Sequence, residues 1–444
     1  MTSPVQSDAM GKPRGFWSAG AVFFDMRCRL TRAGRSHRVP RALDSTDRSA
    51  ECRGMTITAL IDAHVHPVAS PAFDGTVLIE DGRITAAGPD VPVPEDALVI
   101  DADGGWLLPG FLDAHVHLGV DEEGEGWAGQ DTNEMTDPVM AAARAIDAIN
   151  PVEVGFDDAI IGGVTAVNVN PGSGNPIGGL AVAIRTHGRV VDDMVLRSPS
   201  GLKAALGENP KRIYGDRQQT PSTRLGVALT IRQAFAKAQA WMAKDESDRD
   251  PDLMSEALAR VLRREIPWRQ HSHRADDIAT ALRIAEEFGF ELVLDHGTEA
   301  YQIADKVAAA GVPVLYGPLI VSRSKVEVRH RTPKAPGILT AAGVKVSIIT
   351  DHPVVPIDFL VHQAALAVKH GMAPDDALRA ITLNPAEVLG VEERLGSIEV
   401  GKDADLVLWE GDPLDTRHRT LRVWQQGRQV MHRDESGEPV IAAR

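Results

Sequence analysis

Two histidines one residue apart close an apolar run in Pro109-Gly110-Phe111-Leu112-Asp113-Ala114-His115-Val116-His117. Side chains at i and i+2 of a β-strand point to the same side, so His115 and His117 can offer two imidazoles to one metal ion. Imidazole and carboxylate are ligands that suit zinc, manganese and iron. A His-x-His pair by itself is often polar decoration; its weight comes from what recurs downstream. Pro267-Trp268-Arg269-Gln270 runs into His271-Ser272-His273, Phe290 to Asp295 runs into His296-Gly297, and Val344 to Thr350 runs into Asp351-His352. Each group follows an apolar stretch, where a strand would end.

The elements that must position them alternate in type. Between residues 109 and 390, candidate strands lie at 111–118, 164–170, 181–186, within 194–206, and at 267–273, 290–296, 312–317 and 344–351. Helical patterns separate several of them. Asp276 to Phe288 begins with acids and stops at Gly289, as a helix does. Eight strands alternating with helices predict an α/β chain with a (β/α)₈ TIM barrel, whose site gathers at the C-terminal ends of strands. The imidazoles and the acid then come from strands one, five, six and eight. Residues 55–108 and 391–432 have another texture, short strands and turns such as Asp81-Gly82, a hairpin signal. These two ends are expected to pair into one small β-sandwich, with 433–444 as a tail.

With these residues in view, the chain resembles the amidohydrolase superfamily of metal-dependent hydrolases, in its imidazolonepropionase-like branch. The matches are Pro109-Gly110 to His117, His271, His296-Gly297, Thr350-Asp351, Asn384-Pro385-Ala386, and Gly396-Ser397-Ile398 to Gly401-Lys402, Ala404 and Asp405. The resemblance implies a barrel with a flanking sandwich and one or two divalent metals, zinc the first candidate, held by His115, His117, His271, His296 and Asp351. Two-metal members add a bridging group at strand four. Glu208 is favoured here because it follows the apolar stretch; Lys203, as a carboxylated lysine, is the alternative. Asp62-Ala63-His64-Val65-His66 repeats the letters of Asp113 to His117, but it lacks the Pro-Gly entry and precedes the hairpin at Asp81-Gly82. It is read as a decoy.

The expected chemistry is hydrolysis of an amide, cyclic amide or peptide-like C–N bond of a small molecule by metal-activated water. Asp351 would move the proton, and His296 or His271 would assist as a donor if not committed to metal. Deaminase relatives place a glutamate soon after the strand-five histidine; Ser272-His273-Arg274-Ala275-Asp276 has none, which leaves ring deamination as the second reading. A non-catalytic barrel scaffold is the reading of another class. His273 is taken for a polar strand-end residue. Asn175, in the glycine-rich stretch Asn170 to Gly179, and Arg323, in the basic run Arg323 to Arg331, are the candidate substrate-binding residues.

Composition sets outer limits. A formal net charge of −15 argues against nucleic-acid or anionic-membrane partners, and no apolar run of about 20 residues is present to span a bilayer. Residues 1–54 carry ten Lys/Arg against five Asp/Glu and no clear period. They are expected to be a disordered or non-native extension. Both cysteines, Cys28 and Cys52, fall there, which excludes a cysteine metal site in the barrel. A cytoplasmic location is expected, and association with identical chains is left open.

Overall fold

Turn chemistry and alternation set the strands at the chain ends. The computed structural model describes residues 57–444; the expected extension at 1–54, with Cys28 and Cys52, lies outside the described residues. Five strands come first: β1 Thr58–Val65, β2 Phe73–Glu80, β3 Arg83–Gly88, β4 Leu98–Asp101 and β5 Trp106–Pro109. Asp81 (φ +49°) and Gly82 (φ +77°) make the tight turn between β2 and β3. The barrel strands follow: β6 Phe111–Val116, β7 Val164–Val169, β8 Ile177–Arg185, β9 Val195–Ala205, β10 Trp268–Ser272, β11 Leu292–His296, β12 Val314–Tyr316 and β13 Val346–Ile348. Four more close the chain: β14 Leu406–Trp409, β15 Thr420–Gln425, β16 Arg428–Arg433 and β17 Pro439–Ile441.

The two ends do meet. β14 pairs antiparallel with β5, from Leu406 opposite Pro109 to Trp409 opposite Trp106. Where a sandwich was expected, the pairing makes one continuous nine-stranded sheet, β17-β16-β15-β14-β5-β1-β2-β3 with β4 beside β1. Strand pairing also runs on past residue 432, through β17. Alternation divides the sheet's residues between two cores. Leu107, Leu406, Leu408 and Trp424 pack with Leu60, Val77 and Ile84, whereas Leu108, Val407, Trp409 and Val423 join the large core of the barrel. A buried ionic clasp adds to this contact: Arg185, at the end of β8, lies 2.6 Å from Asp403 Oδ2 and 2.9 Å from Asp405 Oδ2.

All eight expected barrel strands form, in the order β6 to β13. They are not all parallel: β8 runs antiparallel to both β7 and β9. Only residues 170–176 separate β7 from β8, too few for the helical crossover that a parallel return needs. The seam between β6 and β13 is spanned at one level by Ala380 and Ile381, whose carbonyls accept from Ile348 N (2.9 Å) and Leu112 N (2.8 Å). Further along, Asp113 Oδ2 accepts from Thr350 N (2.9 Å) and Thr350 Oγ1 (2.6 Å), and His117 N donates to His352 O (2.8 Å). The helix Leu383–Leu389, which carries Asn384-Pro385-Ala386, packs Ala386 and Leu389 against Leu112, Ala166, Val293 and Leu315. Among the described residues no helix is long and apolar enough to cross a membrane.

Candidate metal centre

The strand-end histidines converge. His115 is fully buried, with Nδ1 3.0 Å from Asp295 Oδ2 and Nε2 3.3 Å from Asp351 Oδ1. His117 places Nδ1 2.9 Å from the Asn170 carbonyl and Nε2 3.3 Å from Asp351 Oδ1. His296 places Nδ1 2.9 Å from the Gly317 carbonyl. In all three, one ring nitrogen faces a carbonyl or carboxylate, which fixes the ring and frees the other nitrogen, the usual support of a metal-binding imidazole. His271 is buried, and among the described residues neither ring nitrogen has a hydrogen-bond partner. His273 bonds Thr298 Oγ1 through Nδ1 (2.8 Å) and leaves Nε2 buried and unpaired. Ligating atoms lie within 4.8 Å of one another in two groups, His271/His273/His296 and His115/His296/Asp351, which share His296.

Unpaired buried nitrogens cost about 1–3 kcal/mol each, and a divalent cation would satisfy them; the donor set fits such an ion. The rings also hold the protonation state that ligation requires. Burial pushes His296 down to about 3; burial with neighbouring imidazoles holds His271 well below the usual histidine range, and burial with Lys325 and His296 does the same to His273. Burial would raise the carboxyl of Asp351, but His296, His115 and His117 outweigh it and hold it well below the usual range. His296 (φ +72°) and Asp351 (φ +56°) both adopt the left-handed region, a backbone cost that clusters at functional sites.

Lys203 lies inside this cluster and Glu208 does not. Lys203 Nζ, on β9, is 3.2 Å from His115 Nε2 and 3.4 Å from Asp295 Oδ2, and burial lowers its pKa. Glu208 opens the helix Glu208–Asp216, past Gly207, and its backbone N–H donates to Glu327 Oε1. Asp295 ties three groups together: His115, Lys203, and Arg269, whose Nη2 is 3.3 Å from Asp295 Oδ1.

The cluster opens into a cavity of about 350 Å³ lined by His117, Lys203, His271, His273, His296 and Asp351 on one side, and by Lys325, Arg331, Arg212 and Tyr316 among others. The two residues expected to bind substrate are not part of its lining. Arg323 is exposed and donates through Nε to the Arg329 carbonyl (2.9 Å). Asn175 is buried, donating through Nδ2 to the carbonyls of Glu134 (2.6 Å) and Asp137 (2.8 Å). It braces the loop, and the basic side chains that line the cavity beyond the cluster are Arg212, Lys325 and Arg331.

Comparison with known proteins bears on this geometry. The amidohydrolase family model matches residues 106–432. The chain belongs to the amidohydrolase family. It is 32% identical over 386 residues to amidohydrolase tasK of Hapsidospora irregularis, a match covering 80% of this chain and 39% of that protein. It is 30% identical over 374 residues to an imidazolonepropionase of Acidiphilium cryptum, covering 77% of this chain and 88% of that one. Among solved structures, an amidohydrolase from Thermotoga maritima superposes with a TM-score of 0.82 at 45% identity, covering 85% of this chain and all of that one. This amidohydrolase is thus a hydrolase of carbon–nitrogen bonds, in the imidazolonepropionase-like branch. Its second Asp-x-His-x-His stretch lies away from the cluster: on β1, His64 pairs with Asp74 (2.6 Å), and His66 stacks on Trp106 at 4.8 Å.

His273 and Asp295 also reach this cluster, although little in the sequence singles them out. His-x-His spacing recurs at 271 and 273, the same signal that singled out 115 and 117. Nothing in the sequence marks Asp295 apart from its place beside His296.

Proposed function

We propose that this amidohydrolase cleaves the C–N bond of an amide, cyclic amide or dipeptide-like small molecule that carries an anionic group. The cleavage takes place at a divalent-metal centre, with zinc the first candidate. His115, His117, His271, His273, His296 and Asp351 would hold up to two ions, with Lys203 joining them when its amine is carboxylated, in place of Glu208. Such an ion supplies acidification of water and polarisation of a carbonyl. The observation that carries the reading is one cavity shared by the inward-turned imidazoles and by Lys325 and Arg331.

The chain's own groups then divide the work. Asp351, ionised and partly open to the cavity, accepts a proton from water at its carboxylate and returns it to the leaving nitrogen. His296, neutral and donating from Nδ1 to Gly317 O, keeps a lone pair on Nε2; it serves as a ligand and not as a proton donor. Lys325, whose Nζ lies 3.4 Å from Asn209 Oδ1, and Arg331, whose Nε is buried without a partner, bind the anionic group and turn the scissile bond toward Asp351. The likeness to proteins named imidazolonepropionase supports the cyclic-amide arm, since an imidazolone is a cyclic amide.

The test is metal analysis followed by a panel of N-acyl amino acids, cyclic amides and dipeptides, each with and without a free carboxylate. Chelation should abolish turnover and zinc or manganese should restore it, with carboxylates preferred over their amides. Lys203→Ala should lower the metal held per chain. Chelator-insensitive turnover, or a preference for uncharged amides, would overturn the reading.

A further inference from the structure

A second group of ligating side chains lies behind Asp351, outside the cavity lining. Glu123 comes from the loop after β6, Glu153 from the turn before the helix Gly155–Ile161, and His352 from the residue after Asp351. One ligating atom from each lies within 4.8 Å of the others. Two donors about 2.1 Å from a tetrahedral ion stand roughly 3.4 Å apart, so a modest closing of the three suffices.

Two features single this group out from an ordinary acidic cluster. His352 is 0% exposed and, among the described residues, neither ring nitrogen has a hydrogen-bond partner. Glu153 is 4% exposed; its Oε1 accepts from Gly155 N (3.0 Å), while Oε2 is buried with no partner. Buried polar atoms are rarely left unpaired without a reason. The space among them depends on Gly155. A Cβ there would come 2.8 Å from His352 Nε2 and 3.0 Å from Glu153 Oε2. Glu122 and Asp158 add to the negative field around the carboxylates.

We propose that Glu123, Glu153 and His352 form a further divalent-cation site, separate from the strand-end cluster, suited to Mn²⁺ or Zn²⁺. Two carboxylates and one imidazole are donors that both ions accept, and partly exposed Glu123 leaves room for water to complete the shell. The His352 carbonyl accepts from His117 N, so an ion here would also stiffen the turn that carries Asp351.

The full chain, stripped by chelator, loaded with excess MnCl₂ and freed of unbound ion, is assayed for manganese per chain. Glu153→Gln, Glu123→Gln and Gly155→Ala should each hold one equivalent fewer than wild type. Unchanged manganese in all three overturns the proposal. Should the variants fail to fold, wild-type crystals grown in MnCl₂ decide. An anomalous peak bonded to Glu153 and His352 supports the site, and its absence at saturating manganese overturns it. A peak there with none at His115 and His117 would sink the proposed function and leave this site standing.

Discussion

Replacing Asp295 with asparagine keeps the shape of the side chain and removes a charge shared by three groups. Burial would raise this carboxyl, but Arg269, His115 and Lys203 outweigh it and hold it well below the usual range, so the native residue is ionised at neutral pH. Two effects of different kind follow. Arg269 is fully buried and loses its acidic contact with Asp295 at 3.3 Å, keeping the Ala114 carbonyl at 2.6 Å. Removing one partner of a buried pair costs about 3–5 kcal/mol, so Asp295→Asn should lose about that much in urea unfolding of metal-free protein. His115 also loses the carboxylate 3.0 Å from Nδ1. Loss of such a support lowers metal affinity about 10–100-fold, or about 1.4–2.7 kcal/mol, read by competition with a chromogenic chelator. A variant within about 0.5 kcal/mol of wild type and with the same metal affinity would refute the reasoning. It would mean that Arg269 and His115 do not depend on this acid.

Four other outcomes follow from the same geometry. Asp351→Asn should retain most of the metal and lose about 10²–10⁴-fold in turnover; full turnover would assign the proton to another group. Lys325→Met should lower kcat/KM for a carboxylate-bearing substrate roughly 10–150-fold, the worth of about 1.5–3 kcal/mol for a charged hydrogen bond, and leave the neutral analogue nearly unaffected. His64→Ala with His66→Ala should leave metal content as in wild type; a loss equal to that of His115→Ala would move the centre to β1. Metal-free protein should lose stability as the pH falls from 6.5 toward 4. His296 and His352, pushed down to about 3 and about 4 chiefly by burial, stay neutral in the fold while the unfolded chain takes up protons. Each therefore costs about 1.4 kcal/mol per pH unit, and Asp113, pushed up to about 7 by burial, offsets one of them. A urea midpoint that stays level or rises on acidification would contradict this.

The strand-end histidines were legible because each follows an apolar run, and burial on both faces leaves such a run little choice of element. Direction was not legible. β8 is buried along nearly its whole length, and a two-sided apolar strand carries no mark of which way it points. Its start was also hidden, because Gly178 and Gly179 read as loop. At Gly179 (φ +136°) a Cβ would stand 2.4 Å from the Ala143 carbonyl, so the strand needs glycine for close approach. Position alone favours Glu208 over Lys203. The long lysine stem reaches the cluster from within β9, whereas the backbone turns away at Gly207 (φ +90°) before Glu208 begins a helix. Asp295 went unnoticed because neighbours on a strand should face opposite ways; the left-handed backbone at His296 breaks that alternation and lets both reach the centre.

The pairing of β5 with β14 has a consequence for how this chain is made. During synthesis Leu107 and Leu108 emerge with the whole barrel still to come before Leu406–Trp409 can hydrogen-bond to them. An unsatisfied apolar edge of that kind invites pairing with another nascent chain. Yield in a heterologous host should therefore respond more to slower translation and added chaperone than to any change at the strand-end histidine cluster.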